Sequence, residues 1–386
     1  MIYFDNAASS FPKPPSVSQE MVRAVNEIGA NPGRGSHTLA REAANIILHA
    51  REKAAKLFGC TNPKQALFYS NATVAINQAI KGLSWERGDH IITTSFEHNS
   101  IRRPTAFLAK QYNVDITHIE WKGDQQLFVN EVLHAIRPST KLVAMTHASN
   151  VTGAIIPIEE VIKYVRQQNE QIITLIDGSQ TVGHIPVHMK EQGIDMLAFP
   201  GHKGLLGPQG TGMLLIEGDI SLTPLHHGGT GNYSEDVDQP KKLPERLESG
   251  TLNTPGIAGL HAALLIYEER MNQNVPRETF LVNRLWKGLN QLDGVTLYGP
   301  DINAERIPII AFNVLDIDSQ EIAMILDSTY NIAVRAGLHC SPLAHEMLET
   351  MDRGVVRVSL SMYNTEKEVE KFLAAIQEII EAYRNL

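Results

Sequence analysis

The sequence runs to 386 residues, enough for two domains at about 100 to 200 residues each, and its 43% apolar and 20% charged content is that of a globular chain rather than a disordered one. Lys plus Arg total 34 against 43 Asp plus Glu, a formal net charge of −9 that excludes a nonspecific nucleic-acid binder and leaves no basic stripe for phosphates. No apolar run approaches the roughly 18 residues of a membrane helix, and Met1-Ile2-Tyr3-Phe4-Asp5-Asn6 lacks the basic and apolar regions of a signal peptide, so a cytoplasmic protein without membrane attachment is expected.

In chain order, Ile2 to Ala7 read as a short extended piece, and Pro12, Pro14 and Pro15 keep the next residues out of any helix interior. A helical pattern runs from Ser16 to Ile28. The turn-rich Asn31-Pro32-Gly33-Arg34-Gly35-Ser36-His37 separates it from a long alanine-rich helix over Leu39 to Phe58, ended by Gly59. Strands then alternate with helix-like segments: Ala66 to Tyr69, His90 to Thr94, Val114 to Ile119, Leu142 to Thr146, Ile172 to Ile176 and Asp195 to Phe199. This rhythm predicts an α/β fold with a mostly parallel sheet. Thr223 to Thr254, rich in Gly, Pro and charge, predicts a long functional loop. After Pro255 a helical pattern passes Ile266, Tyr267 and Arg270 toward Leu289. Strands at Val295 to Leu297, Pro308 to Val314 and Val355 to Leu360, then an amphipathic helix over Glu366 to Tyr383, predict a smaller α+β domain with its boundary near Tyr267. The two cysteines, Cys60 and Cys340, are far apart and have no metal-ligand spacing, so neither a disulfide framework nor a metal site is expected.

Two stretches organise the rest. Ile172-Ile173-Thr174-Leu175-Ile176 runs into Asp177-Gly178-Ser179-Gln180, and Asp195-Met196-Leu197-Ala198-Phe199 runs into Pro200-Gly201-His202-Lys203. Ligands of open α/β sheets bind outside the carboxyl ends of the strands. Asp177 and Lys203 are therefore placed as a pyridoxal phosphate enzyme requires: an amine to hold the cofactor aldehyde, and a carboxylate to keep the pyridine nitrogen protonated. Singly, Asp177 reads as a helix cap and Lys203 as a solvated side chain. The glycines between Gly201 and Gly212 favour the other reading, a backbone folded closely round a buried lysine.

Further polar clusters follow other strand ends. Asn71-Ala72-Thr73 opens a helix whose first N–H groups suit a phosphate, although Thr73 serves equally as an N-cap. His98, after Thr94, reads as a proton carrier or as a structural imidazole, and Asn150 as a ligand or a turn residue. Arg357 alternates within a strand, where its guanidinium needs either a bidentate carboxylate ligand or an internal salt bridge. Cys340, in Val334-Arg335-Ala336-Gly337-Leu338-His339-Cys340-Ser341-Pro342, lies in what reads as a loop whose cationic neighbours favour the thiolate. Of the 15 histidines, only His98, His202 and His339 attract a role; His226, His227 and His345 show no metal spacing.

Together these motifs resemble the class V aminotransferase family, and within it the cysteine desulfurases with a short Arg-x-Gly-x-His-Cys loop, from Asp5 to about Asn364; Leu338 stands where many members have histidine. The resemblance implies a pyridoxal phosphate-dependent transferase of fold type I, with a large domain over 16–266 and a small domain from 1–15 and 267–386. It implies that Ala72, Thr73, Ser179 and His202 hold the cofactor, that Gln180 reaches its ring hydroxyl, and that Asp177 and Lys203 act as above. His98 would stack on the ring and serve proton transfer. Asn150 would lie beside the ring and the substrate carboxylate, which Arg357 would hold. Thr251, by itself a turn residue, would touch the cofactor phosphate of a second subunit, implying a homodimer. The expected reaction takes sulfur from L-cysteine onto Cys340 as a persulfide, leaves L-alanine, and passes the sulfur to an acceptor protein or thiol. Selenocysteine lysis, β-elimination from cysteine or cystine, and transamination are the alternatives on the same scaffold. A catalytically silent sulfur-relay partner is the alternative outside it, and Lys203, Asp177 and Arg357 argue against that.

Overall fold

The computed structural model describes residues 1–33, 35–232, 235–270 and 275–385. Its strands, in chain order, are β1 (Ile2–Tyr3), β2 (Ala66–Tyr69), β3 (His90–Thr94), β4 (Asp115–Ile119), β5 (Thr140–Thr146), β6 (Ile173–Asp177), β7 (Met196–Pro200), β8 (Gly212–Ile216), β9 (Val295–Tyr298), β10 (Ile309–Val314), β11 (Ile332–Ala333), β12 (Arg335–Gly337) and β13 (Val355–Ser359).

Seven of them form one sheet in the order β2-β8-β7-β6-β5-β3-β4. All run parallel except β8, which pairs antiparallel with both β2 and β7. The sequence reading misses β8 because Gly212-Met213-Leu214-Leu215-Ile216 follows the glycine-rich lysine loop without a polar break. Alternate residues of each strand leave on opposite faces. Val143, Met145, Ile176, Leu197, Phe199, Met213 and Leu215 enter one apolar cluster, shared with the helices Thr38–Phe58, Ile158–Gln168 and Thr254–Arg270. Their neighbours Leu142, Ala144, Leu175, Met196, Ala198, Leu214 and Ile216 enter a second, under the helix Ala72–Gly82. Continuous apolar runs are therefore required by burial on both faces, and they stop where the strands stop.

A second sheet, β12-β13-β10-β9, is antiparallel, and β1 pairs in parallel with β11. Val356 and Val358 of β13 pack with Phe312, Leu285, Phe372 and Ile376 and with Phe4 from the chain start. Arg357 lies between them on the strand and leaves on the other side, toward the large sheet. Residues 5–10 span the two sheets: Ala7 N–H donates to Ser359 Oγ (2.8 Å) and Ser10 Oγ to the Lys203 carbonyl (2.9 Å).

The predicted helix over Ser16 to Ile28 is an α-helix, Pro15–Arg23, that continues as a π-helical turn, Ala24–Ile28, and stops at left-handed Gly29. Gly59 ends the next helix in the same way. The pattern running from Pro255 toward Leu289 is divided into two helices, Thr254–Arg270 and Val275–Asn290. Tyr267 lies within the first, its ring stacked on Phe58 at 5.7 Å. Arg34 of the turn-rich stretch, positions 233–234 of the long loop and 271–274 of the helical pattern lie outside the described residues. The described part of 223–253 contains no helix or strand, and buried Glu248 anchors its end through Arg51 (2.7 Å) and the Phe68 N–H (2.7 Å).

Candidate active site

A cavity of about 220 Å³ opens where β6 and β7 end and β13 faces the large sheet. Ala72, Thr73, His98, Asn150, Asp177, Ser179, Gln180, His202, Lys203 and Arg357 all line it, drawn from six separate segments of the sequence. Cys340 is exposed beside this cavity, and its carbonyl accepts from the Asn99 N–H (2.9 Å), which ties its turn to the residue after His98. Thr251 is exposed and is not among the cavity's lining residues.

β6 and β7 are neighbours, with Asp177 in register with Ala198, so Asp177 and Lys203 leave adjacent strand ends. Asp177 is 3% exposed, and its Oδ1 accepts from the Ser179 N–H (2.9 Å). The loop after β7 is held close. The Ser10 hydroxyl and the Leu206 N–H bond the Lys203 carbonyl, and Lys13 Nζ bonds that of His202 (2.8 Å). Gly204 packs against the Val182 carbonyl at a separation that leaves no room for a side chain, since a Cβ there would sit 2.5 Å from that oxygen. Lys203 opens on the cavity, yet loss of water pulls its pKa down to about 8; Asp177 opposes this, and Arg357 and Arg335 add to it.

The helix starting at Ala72 is capped by Asn71, whose Oδ1 accepts from the Val74 N–H (3.0 Å). This removes the N-cap alternative for Thr73, whose hydroxyl instead meets Ser100 Oγ (2.8 Å). Ser100 Oγ lies 2.7 Å from His98 Nδ1, and the Ser100 N–H donates to the same nitrogen (3.1 Å). The neutral imidazole therefore carries its proton on Nε2. Burial, with Lys203 nearby, pulls the His98 pKa down to about 4, so the ring enters the working pH range uncharged. His98 is at once the N-cap of the helix Asn99–Tyr112, as the structural reading expects, and a residue of the cavity lining. His202 is likewise pulled down to about 4, mainly by burial, and its Nδ1 is buried without a partner.

Arg357 Nη2 pairs with Asp5 Oδ1 (3.0 Å) and Nη1 donates to the Asn150 carbonyl (2.9 Å). The internal salt bridge weighed against a ligand is thus made, but Nε remains buried without a partner in a side chain that lines the cavity. Around Cys340 one expectation needs correcting. His339 is buried and burial drives its pKa down to about 2, so it is neutral and contributes no cation. The positive groups that interact with the Cys340 sulfur are Lys203 and Arg357. Cys340 lies, as expected, in a loop: the turn between a short strand, β12, and the helix Pro342–Met347; within β12 Arg335 pairs in register with Arg357. Cys60 is buried, its thiol pushed up to about 11 chiefly by that burial, and it is held against the Ile216 carbonyl (3.3 Å).

Sequence reasoning missed Glu97, Arg335, Ala7 and Ala8. Glu97 is fully buried, accepts from Thr94 Oγ1 (2.7 Å) and the Thr146 N–H (3.0 Å), and is pushed up to about 8 by burial. It joins the His98 segment to the end of β5, the strand beside Asp177. Arg335 was legible as a cation two residues from a glycine in the cysteine motif. The two alanines carry no chemical signal and reach the cavity only through the fold.

The residues present suit pyridoxal phosphate. The outward N–H groups of a helix end and the His202 and Ser179 donors suit a phosphate, Asp177 suits a protonated ring nitrogen, and Lys203 supplies an amine. At Gly212 a Cβ would lie 2.5 Å from the Asn71 backbone, so only glycine lets β8 support that helix end so closely.

The model of the family Aminotransferase class-V matches residues 2–372. A probable cysteine desulfurase of Pyrococcus abyssi is 34% identical over 100% of this chain and 96% of its own length. A cysteine desulfurase of Escherichia coli is 33% identical over 98% and 93%. Among solved structures, the apo cysteine desulfurase of Thermococcus onnurineus superposes with a TM-score of 0.91 at 33% identity, covering 99% of this chain and 95% of that one.

Proposed function

We propose, from the premise that the chain belongs to the class-V aminotransferase family, that it is a pyridoxal phosphate-dependent cysteine desulfurase. The observation that carries this reading is the position of Cys340. It is an exposed thiol tied to the His98 segment, beside a cavity that holds an amine, a carboxylate and a guanidinium in the arrangement expected of the cofactor and an amino-acid substrate.

When bound, pyridoxal phosphate takes the substrate amine on its aldehyde and accepts the electron pair of the α-carbon into its ring. The chain's residues do the rest. Ala72 and Thr73 at the helix end, with Ser179 and His202, would hold the phosphate; Asp177 would keep the proton on the ring nitrogen, and His98 would face the ring. Arg357, with Asn150, holds the substrate carboxylate. Lys203 Nζ, whose lowered pKa gives it a substantial neutral fraction near pH 8, takes the α-proton. Cys340 Sγ attacks the substrate sulfur. The new S–S bond forms as the C–S bond breaks, its electron pair goes to the β-carbon, which takes the proton given up by the Cys340 thiol, and Lys203 returns a proton to the α-carbon. Thiol and L-cysteine become persulfide and L-alanine, with atoms and electrons balanced and no external oxidant.

From the family resemblance we further propose that Thr251, which is exposed and outside the lining of its own cavity, touches the cofactor phosphate of a second copy of the chain in a homodimer. A thiol or a sulfur-acceptor protein would collect the persulfide sulfur. Among the described residues no helix is long and apolar enough to cross a membrane; a cytoplasmic location remains the expectation from the sequence.

The direct test incubates the cofactor-loaded protein with L-cysteine and a reducing thiol and quantifies both products. Alanine and sulfide in equal amounts are expected. Pyruvate and ammonia in place of alanine would make the protein a β-lyase.

A further inference from the structure

Cys340 and the residue before it both carry left-handed backbones, with φ of 59° and 48°. Two successive side-chain-bearing residues rarely stay there unless their surroundings over-determine the conformation. The surroundings here are few and identifiable. Asn150 Nδ2 donates to the His339 carbonyl (2.8 Å), and Ser341 Oγ donates to Asn150 Oδ1 (2.7 Å). One amide therefore grips the turn on both sides of the cysteine. Ser341, His339 and Asn150 are 0%, 4% and 7% exposed, so water does not substitute for these bonds. The turn closes on itself through the Ser341 N–H and the Leu338 carbonyl (3.0 Å). The Asn150 carbonyl in turn receives Arg357 Nη1 (2.9 Å).

We infer that Asn150 and Ser341 form a clamp that fixes the Cys340 turn in its left-handed, outward-facing form, with Ser341 acting as a positioning residue for sulfur transfer. The consequence for the reaction rests on the desulfurase reading above. The clamp runs through Asn150, whose side chain grips the turn while its backbone carbonyl accepts from Arg357, so carboxylate recognition and nucleophile placement meet at one residue. The Ser341 hydroxyl is its outer half. Without that hydroxyl, Asn150 Oδ1 is left buried and unpaired, the amide is free to turn away from the His339 carbonyl, and the cysteine backbone relaxes toward the right-handed region.

The test is Ser341→Ala in the cofactor-loaded enzyme. Because Ser341 is not a lining residue of the cavity, cofactor absorption and the KM for cysteine are expected to stay within about twofold of wild type, while kcat for desulfuration falls by about tenfold or more. β-Chloro-L-alanine, whose chloride departs without help from a thiol, should be consumed at the wild-type rate. A separate measurement needs no turnover: the rate at which iodoacetamide alkylates Cys340 should change by about threefold or more, because rate reports thiol placement and access. Unchanged alkylation overturns the clamp, and so does an equal loss on cysteine and β-chloroalanine. If alkylation shifts as expected but wild type makes no alanine and sulfide from cysteine, the clamp stands and the desulfurase reading fails.

Discussion

Cys340→Ala is expected to abolish sulfur release from L-cysteine, by about a thousandfold or more, while cofactor uptake stays at the wild-type level. The separation follows from where the residue sits. Cys340 is exposed at the turn after β12, and the groups assigned to the cofactor are on other segments: the helix end at Ala72, the β6 end at Asp177 and the loop at Lys203. Removing a thiol from the turn removes no phosphate donor, no ring partner and no amine. It removes the one atom placed to accept sulfur, since Cys60 is buried and its thiol is pushed up to about 11. Selenocysteine gives the internal control. A selenolate departs more readily than a thiolate, so selenium elimination should survive in Cys340→Ala when cysteine activity is gone. Wild-type desulfuration by the variant would make the reaction a lyase acting through Lys203 alone.

Lys203→Ala is expected to remove turnover of every substrate, β-chloroalanine included, and to lower the rate by about a thousandfold or more, as loss of a positioned general base does. Borohydride treatment should fix the cofactor to Lys203 in the wild type and leave the variant unlabelled. The wild-type pH profile carries the same claim. An amine attacks an aldehyde only when neutral, and burial has lowered Lys203 to about 8. The rate of cofactor uptake should therefore rise about tenfold per pH unit up to about pH 8 and level off above it. A lysine at its ordinary value would still be climbing at pH 9. Uptake that keeps rising to pH 10 would show that the amine is not held in this environment.

Much of the large sheet is legible in the sequence because strands buried on both faces must be continuous apolar runs, and polar residues have to wait for the strand to end. β2 and β3 match residue for residue, and β5, β6 and β7 to within two residues at each end. The same rule puts Asp177 and Lys203 at neighbouring strand ends from the residue pattern alone. β8 escapes it because its run is fused to a glycine-rich loop, and β11 and β12 because two- and three-residue strands have no period to detect; tertiary pairing alone defines them. The environment of each site residue is less legible than its identity. His339 reads as a cation in the sequence, but its neutrality comes from burial beneath β13, a contact 16 residues away through the Val355 carbonyl (3.1 Å). The Asp5 partner of Arg357 lies 352 residues away in sequence, and no local pattern announces it. Glu97 is next to His98 in sequence and still gives no signal, since a carboxylate gains significance only once it is known to be wholly buried.

The central claim is that sulfur leaves cysteine by way of one thiol. It is tested most directly by giving the cofactor-loaded protein a single pulse of L-cysteine without added reductant, quenching with an alkylating reagent and mapping the modified peptides by mass spectrometry. One additional sulfur on Cys340, with Cys60 free of it and alanine formed in equal amount, is the predicted result. Alanine formed with no added sulfur on Cys340, or with the added sulfur on Cys60, would contradict it.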